Sequence, residues 1–300
     1  MEYLYFPGCT LYTKAKNLDE AGRECARVLG FELRELSNWT CCGATFPLAK
    51  DNIMALAPPA RILAMAKQEG GSLTTLCSIC FNVIKRTNRL IQADVEAREK
   101  INTFIEMDYQ GDTQVLHYLE ILKRDVGFDR LKNAVKRDLG GLKVAPFYGC
   151  MVLRPSEEME FDDKEAPRIF EEFLEAIACE PVDYPYKIEC CGAFQSVGAP
   201  EVATECSYAI LSSALRNGAE AVTTTCPLCQ FNIDSMQKEI RERHSDFPGV
   251  PILYFTQLLG LALGLSVEKL DFERNDVDPR TLLREKGLIG SAAHPDFKSG

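Results

Sequence analysis

Short apolar runs alternate along the chain with stretches of helical period. Residues 1–6 form a compact apolar and aromatic run ending at Pro7-Gly8-Cys9, which reads as a strand delivering a cysteine to a turn. Behind Asn17 and Asp19, the residues Ala21, Cys25, Val28 and Leu29 recur at helical spacing up to Gly30, predicting an amphipathic helix with a glycine stop. Residues 31–36 alternate as a strand and lead through Trp39-Thr40 into Cys41-Cys42-Gly43. A helix is expected over 49–67, broken or restarted by Pro58-Pro59. A strand follows at 72–76, a helix from Cys77 to about Ile91, and another over 95–107.

The second half restarts the pattern. After Gly140-Gly141, residues 143–150 repeat the arrangement of 3–9, and the strand-to-helix stretch 115–122 has its counterpart in 251–259. Between them lie an acidic loop near 155–164, a helix over 169–177, a strand at 182–184, a helix over 202–215 and a β-branched strand at 221–225. Asp278-Pro279 caps a last helix over 280–286, and the tail 291–300 is expected to be disordered. Alternating strands and helices predict an α/β fold of two pseudo-symmetric repeats, 1–141 and 142–290. Each would be a small, mostly parallel sheet flanked by helices, with its ligand crevice at the carboxyl ends of the strands.

Composition narrows the class. Three hundred residues, 46% of them hydrophobic, can bury two cores, and a net charge of −10 without a long Lys/Arg run argues against nucleic acid as a partner. The N-terminus lacks the signature of a secretory leader, and the apolar stretch 258–265 is too short to span a bilayer, so a cytoplasmic location without direct membrane insertion is expected. In that reducing compartment the thirteen cysteines point to metal ligation or thiol chemistry before structural disulfides.

Ten of those cysteines are duplicated. Cys9, then 31 residues, Cys41-Cys42-Gly43, then 33 residues, and Cys77-x-x-Cys80 make the first set; Cys150, then 39 residues, Cys190-Cys191-Gly192, then 33 residues, and Cys226-x-x-Cys229 make the second. The later four cysteines recur at an offset of 149 and the first at 141, so the second copy carries eight extra residues before its triplet. A structural zinc ion needs four ligands and each half supplies five. Adjacent cysteines suit neighbouring irons of a cluster better than one tetrahedral ion, and the C-x-x-C pairs open presumed helices whose N-termini favour negative charge. Gly43 and Gly192 are candidate cofactor-binding positions, giving the backbone room beside such a cluster.

These residues carry a resemblance. The pattern is similar to the duplicated cysteine-rich CCG domain, and residues 1–288, including the stretch 254–264, resemble the B subunit of heterodisulfide reductase. The resemblance implies two noncubane [4Fe-4S] clusters, one on Cys9, Cys41, Cys42, Cys77 and Cys80, the other on Cys150, Cys190, Cys191, Cys226 and Cys229. It implies reductive cleavage between the clusters of the coenzyme M–coenzyme B heterodisulfide or a related disulfide. Its implied partners are the ferredoxin-like C subunit and the flavin-containing A subunit of a heterodisulfide reductase, in an electron-bifurcating complex of anaerobic energy metabolism. An electron-relay protein without disulfide chemistry and a zinc-stabilised scaffold are the alternative functions.

Cys25, Cys179 and Cys206 fall outside the repeat and read as small buried hydrophobes. Of three scattered histidines, His117 is a candidate proton donor because it follows a presumed strand, although a packed histidine is the commoner case. Lys14, Lys16, Lys85 and Arg86 follow ligand cysteines and read as surface charges before anion-binding groups.

Overall fold

The structure, a computed structural model, describes residues 1–44 and 53–290. It contains two four-stranded sheets. Strands β1 (Glu2–Tyr5), β2 (Glu32–Glu35), β3 (Leu73–Thr75) and β4 (Val115–His117) lie in the order β2-β1-β3-β4; β5 (Lys143–Phe147), β6 (Glu180–Pro181), β7 (Ala221–Thr224) and β8 (Ile252–Tyr254) lie in the order β6-β5-β7-β8. Every pairing is parallel, with Leu4 opposite Leu73 and Val144 opposite Ala221. Parallel neighbours require helical crossovers, which cover both faces of a sheet. That is why β3, β4, β7 and β8 are buried at every position rather than alternating. The expected α/β class and duplicated parallel sheets are what the chain forms.

In each sheet the chain steps outward from the first strand to the second and then crosses to the other side. The switch points therefore lie between β1 and β3 and between β5 and β7, and a crevice opens beyond their carboxyl ends.

The halves share one core. Aromatic rings run from Phe31 to Tyr118 (5.5 Å), from Tyr118 to Phe255 (5.8 Å) and from Phe255 to Phe173 (5.9 Å), passing from one sheet's helices to the other's. The helix Lys16–Leu29 turns Leu18, Ala21, Cys25 and Leu29 inward and ends at Gly30 in the left-handed region. It packs on the helix Phe255–Ala262, where Thr256 Oγ1 donates to the Leu18 carbonyl at 3.0 Å.

Four expectations change. Val28 is exposed, because the helix buries the face through Cys25 and Leu29 and leaves Val28 outside it. The strand expected at 182–184 lies earlier, at Glu180–Pro181, and Pro185–Ile188 is a 3-10 turn. Glu180 N bonds Leu142 O and Val182 N bonds Val144 O, while Pro181 between them has no N–H to extend the ladder. The acidic loop contains a one-turn helix, Ser156–Met159, started by Pro155. The helix expected over 49–67 falls partly outside the described residues; within them it is Ala57–Glu69, with the prolines in its first turn, where a missing N–H costs nothing. The tail 291–300 also lies outside the described residues.

Candidate metal centre

Three strand ends in each sheet deliver the cysteines. Cys9 follows β1, Cys41 and Cys42 follow β2, and Cys77 and Cys80 follow β3; Cys150, Cys190, Cys191, Cys226 and Cys229 follow β5, β6 and β7 in the same way. The C-x-x-C turns are built identically. Thr75 Oγ1 accepts from Cys77 N and Thr224 Oγ1 from Cys226 N, both at 3.3 Å, and a helix starts at the next residue. In the first half that helix is Ser78–Ala93, long enough for a useful dipole.

The thiols of each set converge. Cys42 Sγ lies 3.4 Å from Cys80 Sγ and Cys41 Sγ 3.7 Å from Cys9 Sγ; in the second half Cys191 Sγ lies 3.5 Å from Cys229 Sγ. Gly8 and Gly149, both with positive φ, bring the backbone against these sulfurs. A Cβ at Gly8 would stand 2.8 Å from Cys80 Sγ, and one at Gly149 would stand 3.1 Å from Cys229 Sγ. Gly43 and Gly192 also take positive φ, +82° and +76°, and a Cβ at Gly192 would stand 2.9 Å from Ala203 Cα. Within each vicinal pair one thiol is held acidic by its neighbours. Cys42 is lowered to about 4 by the thiols of Cys41 and Cys80, and Cys190 to about 6 by the Cys150 thiol and the Gly192 and Ala193 N–H groups.

The two sets meet across the pseudo-twofold axis. Ser78, inside the first C-x-x-C, shares a 2.6 Å hydrogen bond with Thr225, the residue before Cys226, and both are buried. Asn82, one half-turn beyond Cys80, donates to the carbonyls of Met151 and Arg154 at 2.7 Å and so ties the first cysteine helix to the turn carrying Cys150. Tyr254, at the end of β8, is buried, and its hydroxyl pKa is pushed far up by burial and by the charges of Cys226, Cys77 and Cys229. The charges of both sets therefore reach it. Tyr184, close enough to Cys229 to feel its charge, has a buried hydroxyl without a partner.

Five sulfurs per half, a backbone with Cβ-free approaches to them and an orphaned hydroxyl beside one set fit a thiolate-bound, multi-atom group. Among the described residues, no three Cys, His, Asp or Glu side chains surround a single-ion position; the thiols instead adjoin one another in sequence, Cys42 touching both Cys41 and Cys80.

The remaining candidates separate. His117 is fully buried at the end of β4, among Phe81, Phe161 and Phe255; its Nδ1 accepts from Leu119 N at 3.2 Å and its Nε2 has no partner. Burial, then the Lys85 charge, lowers its pKa to about 3, so it is neutral. Cys25 and Cys179 are core residues, whereas Cys206 is half-buried, its Cβ 3.5 Å from where a Cβ on Gly192 would be. Lys14 and Lys16 are exposed. Lys85 is half-buried rather than a free surface charge: it donates to Met159 O and lies over the Phe81 ring. Sequence reasoning does not single out Gly8, Gly149, Tyr254 or Ser78; the repeated Gly-Cys dipeptides at 8–9 and 149–150 are the signal for the first two.

Comparison with known proteins places this arrangement. The family model described as a cysteine-rich domain, CCG, matches twice, over residues 3–85 and 144–234. The chain belongs to the CCG family. Its CCG relatives include the 8-methylmenaquinol:fumarate reductase membrane anchor subunit of Wolinella succinogenes, 34% identical over 94% of this chain and 99% of that one. They also include the B subunit of the ferredoxin/F420H2-dependent CoB-CoM heterodisulfide reductase of Methanosarcina acetivorans, 30% identical over 91% and 92%. A crystal structure of a hypothetical protein from Helicobacter pylori shares the fold, with a TM-score of 0.71 and 12% identity; it matches 91% of this chain, which spans 51% of that protein. Despite the anchor in the Wolinella name, no helix among the described residues of this CCG chain is long and apolar enough to cross a membrane.

Proposed function

We propose that the chain is the disulfide-cleaving subunit of a heterodisulfide reductase-type complex, with a noncubane [4Fe-4S] cluster on each five-cysteine set. The observation that carries this reading is the contact of the two C-x-x-C turns through Ser78 and Thr225. It puts both sets at one interface, where a disulfide can meet both. Cleavage takes R–S–S–R′, two electrons and two protons to RSH and R′SH; bound iron–sulfur clusters supply one electron each. The chain's own residues do the rest. The ten cysteines hold the clusters, Gly8 and Gly149 keep the turns close to the sulfurs, and Asn82 fixes the distance between the sets. Tyr254 carries a proton at the phenol oxygen, within electrostatic reach of both sets; its raised pKa keeps it protonated. His117, neutral and walled by aromatic rings, orients the helix after β4 through Nδ1. Electrons would arrive from ferredoxin-like and flavin-containing partner proteins in the cytoplasm.

A second reading is an electron-relay protein, favoured by the similarity to the Wolinella fumarate reductase component. The experiment is iron and acid-labile sulfide analysis of anaerobically purified protein, with electron paramagnetic resonance before and after adding disulfides or thiols. About eight irons per chain and a thiol-dependent signal support the reductase reading. The same iron without any response moves the assignment to the relay, and zinc without sulfide refutes both.

A further inference from the structure

Between the halves lies a cleft of about 710 Å³, the size of a small-molecule site. One wall is the first-half helix, with Asn82 and Arg86. The other is the segment running from Met151 through Arg154 and Glu158 to Lys164, which holds the eight residues the second copy has and the first lacks. The cleft is therefore a property of the asymmetric protein rather than of either repeat.

Its chemistry is mixed in sign. Arg86, Arg154 and Lys164 are cationic, and Glu157, Glu158 and Glu165 anionic. Twenty ion pairs form among the described residues, and none involves these six side chains. Asn82 adds a buried Oδ1 acceptor without a partner, since its amide nitrogen is committed to Met151 O and Arg154 O. The cleft also abuts the second cysteine set: Arg154 N bonds Cys150 O at 3.0 Å, and its guanidinium reaches Ile188 O at 3.1 Å, two residues before Cys190.

We infer that this cleft seats one half of a zwitterionic disulfide, a compound of amino-acid or short-peptide type carrying both carboxylate and ammonium groups. A purely anionic ligand would leave Glu157, Glu158 and Glu165 opposed to it, and a purely cationic one would face Arg86, Arg154 and Lys164. A zwitterion answers both sets of charges, and its ammonium or amide N–H can donate to Asn82 Oδ1. The inference rests on the disulfide-reductase reading for the reaction: the S–S bond breaks, and each sulfur gains one electron from a one-electron donor protein of the ferredoxin class and one proton drawn from solvent, by way of Tyr254 on that reading.

The test is titration calorimetry on the anaerobically purified, cluster-loaded chain with three probes: glutathione disulfide as the zwitterion, dithiodiglycolate as the dianion and cystamine as the dication. The expected order places the zwitterion tightest. Arg86→Ala and Glu158→Gln should each weaken it about tenfold, one charge-assisted bond apiece. Glu158→Gln should by contrast tighten the dianion. If either variant loses iron, Lys164→Ala and Glu165→Gln replace it. Equal binding of all three probes, or variants within about twofold of wild type, would overturn the inference. Charge-dependent binding without any paramagnetic response or cleavage would leave the cleft standing and remove the reductase reading. Cleavage of the dianion, with a KM indifferent to these variants, would do the reverse.

Discussion

Replacing Gly8 by alanine tests the cysteine assignment most directly, because the cost separates into two parts. Gly8 has a φ of +76°, which costs an L-residue about 1 kcal/mol, and Gly127, at φ +81° and ψ +133°, is at least as unfavourable for one, so it controls for backbone strain. A Cβ at Gly127 meets nothing within 4 Å, whereas one at Gly8 meets Cys80 Sγ at 2.8 Å, a separation that forces the thiol or the turn to move. Overpacking of that kind adds about 1–3 kcal/mol, giving about 2–4 kcal/mol in all. Gly149→Ala, with Cys229 Sγ at 3.1 Å, should fall between. The assay is the urea midpoint together with iron and labile sulfide per chain. Gly127→Ala should lose stability only. Gly8→Ala should lose stability and about half the iron, since a cluster of about four irons depends on the displaced sulfur. A Gly8→Ala protein with the iron content of Gly127→Ala would refute the reasoning, for Cys80 could then not be a ligand fixed in the position described.

Three further outcomes follow from the same geometry. Asn82→Leu leaves the part-buried carbonyls of Met151 and Arg154 without their donor, and thermal or urea denaturation should show a loss of about 1–3 kcal/mol; a loss below about 0.5 kcal/mol would mean that water replaces the amide. Asp234 is raised to about 7 by burial, so its contribution is lost as pH rises from about 4 to 7, and His117, lowered to about 3 by burial, loses its contribution as pH falls from about 6.5 to 3. Each displacement is worth about 4–5 kcal/mol, and the slopes oppose; Asp234→Asn should therefore make the urea midpoint climb between pH 4.5 and 6.5, and an unchanged profile would contradict it. Tyr254→Phe should retain iron while lowering disulfide cleavage at least tenfold; full activity would exclude the phenol as a proton carrier.

Much of this site was legible in the chain because cysteine spacing survives folding unchanged. Equal intervals between the triplets and the C-x-x-C pairs placed corresponding cysteines at corresponding strand ends, and β-branched runs marked the buried strands of parallel sheets. What failed was local or long-range. Pro181 hid the true edge pairing of β6, since a proline inside a two-residue strand looks like a breaker. Val28 has the composition of a core residue but lies off the buried face by rotation about the helix. Nothing in the sequence brings Ser78 to Thr225, 147 residues away, or Tyr254 within electrostatic reach of both cysteine sets; those proximities exist only once two sheets share a core.

The duplication also explains where the symmetry breaks. Positions 82 and 231 are equivalent by the offset of 149, yet Asn82 is buried and bonded to Met151 and Arg154, while Phe231 is 52% exposed. The difference follows from the extra residues after Cys150. They fold over the first-half helix, pack Phe161 on Phe81 and bring Met159 O to Lys85, whereas the short turn after Cys9 has nothing to lay over Phe231. The first-half helix runs unbroken from Ser78 to Ala93; its counterpart is interrupted after Gln230 by a π turn, Phe231–Ser235, and resumes at Gln237. Two identical halves would present identical surfaces to the ends of a disulfide. This chain presents a charged, open cleft on one side and the half-exposed Phe231 on the other, and under the proposed disulfide cleavage that difference would let a duplicated centre tell the two ends of its substrate apart.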